Sequence, residues 1–145
     1  MTSLEYIAGF FDGEGYVTIS KASSKCHSGS EYWLVVSMAN THKGVLDEIQ
    51  KLIGGNVIFH KGDKGCKHHY RLTLYSKRAY EFLMLVYPYL IVKKREAEVA
   101  FRYHSRNRTH RGPKGLTLEQ IGFQDLCYQE MRALHGNKIR LHGQS

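Results

Sequence analysis

The sequence predicts an α+β domain in the order α-β-β-α-β-β-α, with a four-stranded antiparallel sheet and extra C-terminal helices. Apolar residues recur at helical spacing at Leu4, Ile7, Ala8 and Phe11, and again at Val45, Ile49, Leu52 and Ile53. Between and after these helices lie two pairs of short, alternating segments rich in β-branched and aromatic residues, which read as strands. Each pair flanks a polar, basic stretch suited to a hairpin loop.

Taken in order, Thr2 and Glu5 have the spacing of a capping box, so the first helix should begin at Ser3. It must stop within Asp12-Gly13-Glu14-Gly15. Strands are expected at Tyr16 to Lys21 and at Glu31 to Ala39. The helix around Val45 to Ile53 ends at Gly54-Gly55, as glycines commonly terminate helices. Asn56 to Lys61 and His68 to Ser76 form the second strand pair. In the last strand Tyr70, Leu72 and Leu74 take one face, and His69, Arg71, Thr73 and Tyr75 the other. A helix over Lys77 to Tyr87 is broken by Pro88, and another starts near Val92 and continues toward His104. A basic loop follows from Arg106, and Thr117-x-x-Gln120 caps a final helix ending near Gly136. One domain thus covers 1–136, with a core at 3–104 and C-terminal helices at 105–136, before a flexible basic tail at 137–145.

Hydrophobic residues at 42% and charged residues at 23% are ordinary for one globular core and exclude a disordered chain. No run approaches the roughly 20 apolar residues of a membrane span, and the first residues lack the pattern of a signal peptide. Cys26, Cys66 and Cys127 are odd in number and widely spaced. That argues against a disulfide framework and for a reducing, intracellular setting: cytoplasm, nucleus or organelle matrix. Lys+Arg at 21 against 13 acids gives +8, a balance that points to a polyanion, most commonly nucleic acid.

Helices on one face of the sheet would leave its other face open. Lys21, Lys25, His27, Lys61, Lys64, Lys67, His69 and Arg71 are expected on that face and in its two hairpin loops, where they could bind DNA in the major groove. The competing reading is a solvated face covered by another subunit. Tyr32, Trp33, Tyr70 and Tyr75 read as sheet packing rather than as platforms for bases.

The most informative stretch is Ile7-Ala8-Gly9-Phe10-Phe11-Asp12-Gly13-Glu14-Gly15. A glycine inside a helix costs about 1 kcal/mol relative to alanine, so Gly9 and Gly13 suggest close approach of another backbone. Asp12 and Glu14 fall at the negative end of the helix dipole, which disfavours carboxylates. A hard divalent cation would reverse that penalty. Alternatively Asp12 bonds local backbone and Glu14 is solvated in a turn.

With Tyr6 before it, this stretch resembles the LAGLIDADG motif of homing endonucleases, in the variant Y-I-A-G-F-F-D-G-E-G. The resemblance implies two such helices packed side by side, with Ile7, Ala8, Gly9, Phe10, Asp12 and Gly13 in the interface. It implies that Glu14 and the Gly13 carbonyl hold a divalent metal at the scissile phosphate, and that Asp12 helps to lock the helix pair. Glu14 stands where the family more familiarly has Asp. The expected ion is Mg²⁺ or Mn²⁺, with Ca²⁺ able to occupy the site without supporting cleavage. The segment Pro88 to Ala97 resembles the one that carries a basic active-site residue, which maps to Lys93 with Lys94 as a substitute. Ser37 to Lys43 resembles the end of strand two, where Asn40 is the matching polar amide, with His42 or Lys43 as basic neighbours.

The motif occurs once, so the resemblance implies a homodimer on a palindromic or near-palindromic double-stranded DNA site. It further implies an intron-encoded, metal-dependent DNA endonuclease with no small-molecule substrate and no membrane partner. The alternative is a non-cutting binder of the same fold, an RNA-binding maturase or a transcription regulator. An unrelated basic RNA-binding α+β protein is a further rival. Cys26-His27 and Cys66-x-His68-His69 invite zinc, but the paired spacing of structural zinc sites is missing.

Overall fold

A computed structural model describes residues 2–23, 30–107 and 117–143. Helix α1 spans Leu4–Glu14, and its cap is Ser3 rather than Thr2: the Tyr6 N–H donates to Ser3 Oγ at 3.2 Å. Serine caps as well as threonine does, which moves the expected start by one residue. Strands β1 (Gly15–Ser23), β2 (Ser30–Asn40), β3 (Asn56–His60) and β4 (His69–Tyr75) surround α2 (Lys43–Ile53). Gly54 and Gly55, at φ 77° and 91°, turn α2 into β3 through backbone that other residues rarely adopt.

Helix α3 (Ser76–Val86) passes into a single 3₁₀ turn at Tyr87–Tyr89, where Pro88 has no N–H to continue the helix. Helices α4 (Lys94–Asn107) and α5 (Leu118–Gly143) complete the chain. The cap of α5 is the expected reciprocal box: Gln120 N–H donates to Thr117 Oγ1 at 3.1 Å, and Thr117 N–H donates to Gln120 Oε1 at 2.8 Å. The helix does not end near Gly136 but continues to Gly143, through part of the stretch expected to be a flexible tail. A glycine in a helix costs only about 1 kcal/mol, too little to end one that is otherwise supported.

The sheet is antiparallel, in the order β1-β2-β4-β3. One face carries Val17, Ile19, Leu34, Val36, Met38, Leu72 and Leu74, all buried. Against it pack Ile7, Ala8 and Phe11 of α1, Leu46 and Ile49 of α2, and Ala79, Phe82, Leu83 and Val86 of α3. The Phe11 and Phe82 rings meet edge to face at 5.1 Å, a favoured aromatic geometry.

Helix α5 packs on α4 and along β1. At one end of β1, Tyr32 Oη donates to Asp125 at 2.6 Å; at the other, His135 stacks on Tyr16 at 5.1 Å. From Asp125 to His135 the helix advances about 15 Å, and from Lys21 back to Tyr16 the strand spans about 16 Å. The helix therefore runs alongside β1 in the opposite direction and shields an otherwise open sheet edge. Among the described residues, no helix is long and apolar enough to cross a membrane.

Candidate functional site

The foot of α1 meets the end of the sheet where β1 begins. A Cβ on Gly15 would collide with the Phe11 ring and carbonyl oxygen, so only glycine lets the chain turn there from helix into strand. This sharp turn leaves Glu14 exposed at the helix foot. Among the described residues its carboxylate has no hydrogen-bond or ion-pair partner.

Asp12 is engaged quite differently. Its Oδ2 accepts from the N–H groups of Ile91 (2.7 Å) and Val92 (3.1 Å), and its Oδ1 from that of Lys93 (3.1 Å). Lys93 Nζ in turn donates to the Asp12 carbonyl oxygen at 2.6 Å and lies 5.9 Å from the centre of the Phe11 ring. Asp12 thus ties α1 to its own chain, where the resemblance implied a lock between two helices. Glu14 and Lys93 are brought to one end of the molecule, Lys93 bound to the residue two before Glu14. Lys94 points elsewhere, with its ammonium 5.6 Å from the Tyr87 ring.

Asn40 lies two residues beyond the Gly15–Met38 pair, at the same end of the sheet. Its Oδ1 accepts from the His42 N–H at 2.8 Å, so its carbonyl is committed to the turn that starts α2. His42 caps α2 by accepting from the Val45 N–H at 3.3 Å, and Lys43 pairs with Asp47.

Ile7 and Ala8, expected in the helix interface, are instead fully buried in the chain's own core. They fall on the side of α1 that faces the sheet. The outward stripe holds Tyr6, Gly9 and Gly13, all exposed, with Phe10 partly buried beside them. Neither Gly9 nor Gly13 would meet an atom within 4 Å if it carried a Cβ. Among the described residues, the two glycines therefore serve no packing.

The face of the sheet turned away from the helices forms, with α5, a groove of about 700 Å³. It is lined by Tyr16, Thr18 and Ser20 of β1, Ser37 of β2, Arg71, Thr73 and Tyr75 of β4, and Arg132 and His135 of α5. Arg71 is exposed there as expected. His69 is on the same side of β4, stacked on His60 at 5.2 Å. Lys61, Lys64 and Lys67 are exposed in the β3–β4 loop, which is pinned by the Gly62 N–H donating to His68 Nδ1 at 2.9 Å. Lys25 and His27 lie outside the described residues.

Two of the expected placements change. Lys21 shares the side of β1 that carries Val17 and Ile19, yet it still lines the groove at the edge covered by α5. Its ammonium reaches Asp125 at 3.4 Å and sits 5.5 and 5.4 Å from the Tyr32 and Tyr128 rings. Hydrogen bonding to Tyr32 and attraction to Asp125 hold the lysine pKa above its ordinary value. The Tyr32 hydroxyl, with Lys21, holds the Asp125 carboxyl below the usual range. Tyr75, expected to pack on the sheet, is 58% exposed and lines the groove, because it shares the open-face parity of Arg71 and Thr73 at the end of β4. Tyr70 does pack, its ring 5.3 Å from that of Phe59, and Tyr32 packs on Tyr128 at 5.7 Å.

At the foot of α1 the exposed Glu14 carboxylate and nearby carbonyls offer hard oxygen donors to a divalent ion. That donor type suits Mg²⁺, Mn²⁺ or Ca²⁺. Among the described residues no three His, Cys, Asp or Glu side chains cluster to hold a metal, for zinc or any other ion. A site at Glu14 would have to be completed by phosphate or by a second subunit.

The LAGLIDADG endonuclease family model matches residues 7–104, two-thirds of the chain, and the chain belongs to that family. Solved structures share the fold. The homing endonuclease I-CvuI, solved in complex with the I-CreI target in the presence of Mg, superposes with a TM-score of 0.72 at 16% identity over 90% of this chain and 80% of that one. The archaeal intron-encoded homing endonuclease I-Vdi141I, complexed with DNA, gives 0.74 at 20% identity over 90% and 82%. I-LtrWI, bound to its target DNA, gives 0.74 at 21% identity, with 90% of this chain covering 44% of that one. No curated protein sequence matches the chain significantly.

Proposed function

We propose that the chain is a site-specific double-strand DNA endonuclease, acting as a homodimer with divalent metal at a long palindromic or near-palindromic site. The observation that carries this reading is the exposed, unpartnered Glu14 at the foot of a helix whose outward stripe is Tyr6, Gly9, Phe10 and Gly13. A lone carboxylate there has no structural use within the chain. Two chains pairing along that stripe would bring two such carboxylates together over the DNA. The motif occurs once in this sequence, which favours this two-chain arrangement.

In this reading Glu14 and the Gly13 carbonyl would hold the divalent ion, which when bound would activate a water and neutralise charge on the phosphate oxygens. Lys93 keeps an ammonium beside the same end of α1, where it stabilises the negative charge that builds on the phosphate in the transition state. The open groove meets the duplex: Arg71 with Lys61, Lys64 and Lys67 hold phosphates or read base edges, and Thr18, Ser20, Ser37 and Thr73 offer hydrogen bonds to bases. A dimer neutralising about ten phosphates loses several orders of magnitude in affinity between low and moderate salt. The compartment expected is intracellular and the gene intron-borne.

The test is Glu14→Gln. Metal-dependent cleavage should be lost while DNA binding persists. Cleavage at the wild-type rate removes Glu14 from the mechanism, and a wild-type chain that binds DNA without cutting it would be a binder of the same fold.

A further inference from the structure

We propose that Asp12 is a positioning residue for Lys93: its carboxylate seats the start of α4 on the foot of α1 and so fixes the ammonium on the Asp12 carbonyl, two residues before Glu14. This rests on the reading of Lys93 given above.

The three N–H groups that Asp12 accepts belong to consecutive residues, Ile91, Val92 and Lys93. They immediately precede α4, and the Ala97 N–H donating to the Lys93 carbonyl at 3.0 Å makes Lys93 the cap of that helix. Asp12 is therefore an anion at a helix N-terminus, the end where the dipole and free N–H groups favour negative charge. This offsets the unfavourable position of the same carboxylate at the C-terminal end of α1. Apolar packing anchors its two flanks, Leu90 and Ala97, but not the segment itself, where Ile91 is 84% and Val92 58% exposed. Its seat on α1 is the polar clasp.

The clasp requires a carboxylate of this length. Both oxygens are used, two donors on Oδ2 and one on Oδ1. Asparagine would turn an NH₂ group toward one of the donors, and glutamate would carry its oxygens one methylene too far. The loop closes through Lys93 Nζ on the Asp12 carbonyl, so one residue positions both the backbone and the ammonium of Lys93.

The experiment uses the full chain as wild type, D12N, D12E, K93A and D12N/K93A. It measures single-turnover cleavage, DNA affinity and amide hydrogen exchange at residues 91–93. D12N should speed exchange at these three amides and slow cleavage by about tenfold to a hundredfold, the scale expected when a reacting group is misplaced by about 1 Å. DNA affinity should change by less than about threefold, since Asp12 touches no DNA in this scheme. The double variant should be no slower than K93A. A double variant that loses the product of the two single effects shows that Asp12 acts independently of Lys93, and unchanged exchange in D12N shows that the clasp does not hold the segment. If D12N fails to fold, D12E keeps the charge and should show the same faster exchange. If the wild-type chain cleaves nothing, the endonuclease reading falls and the exchange measurement alone decides the clasp.

Discussion

Gly9 offers a substitution whose two effects should have opposite signs. It stands in the middle of α1, exposed, and a methyl added there meets nothing within 4 Å in its own chain. Gly9→Ala should therefore stabilise the isolated chain by about 1 kcal/mol, the usual gain for this change inside a helix. In the proposed dimer the same methyl is driven between two helices, and the two-fold axis places it there twice. Overpacking a close contact costs about 1–3 kcal/mol per site, so two copies cost about 2–6 kcal/mol. That corresponds to a dimer dissociation constant raised by roughly 30-fold to more than 10⁴-fold. Sedimentation over a dilution series reads the association, and urea unfolding at concentrations where the chain is monomeric reads the fold. A dissociation constant within about twofold of wild type would refute pairing along this stripe, because a methyl in a close helix contact cannot be that cheap.

Further outcomes follow from the packing and the charges. Phe11→Ala removes a fully buried ring that holds Phe82, and should cost about 3–5 kcal/mol in urea unfolding. Arg71→Ala should leave the fold intact, weaken DNA binding and, with one arginine lost from each subunit of the dimer, reduce the slope of log affinity against log salt by about two. Asp125 is held below the ordinary carboxylate range by the Tyr32 hydroxyl first and Lys21 next, and Glu130 by Arg102. Their contribution to docking α5 is fully present above the ordinary carboxylate pKa, about 4, and is lost as pH falls through the lowered values. Amide protection in α5, corrected for the intrinsic exchange rate at each pH, should thus fall on the acid side, and Tyr32→Phe should move that limb to higher pH.

What was legible in the sequence was local. The Thr117–Gln120 box, the helix stop at Gly54-Gly55 and the alternation of β4 each depend on residues a few positions apart, and each appears in the fold. The side of β1 that carries Lys21 was also legible, because Val17 and Ile19 share its parity. Its charge outweighed that parity in the reading, whereas the fold turns it toward Asp125. The remaining differences arise from contacts that no local pattern announces. Asp12 finds its donors 79 to 81 residues later, and Tyr32 meets Asp125 across 93 residues. The contribution of Arg132 and His135 to the groove depends on how α5 lies along β1, a matter of tertiary packing. Helical periodicity puts Ile7 and Ala8 with Phe11, and the fold buries them there rather than in the helix interface that the motif resemblance implies.

The most direct measurement is a crystal structure of the chain on a duplex containing its selected site, grown with Ca²⁺. The account predicts two α1 helices in contact along Tyr6, Gly9, Phe10 and Gly13, with both Glu14 carboxylates ligating cations that also touch the central phosphates. Helices apart, or Glu14 facing solvent with the cations held elsewhere, would contradict it.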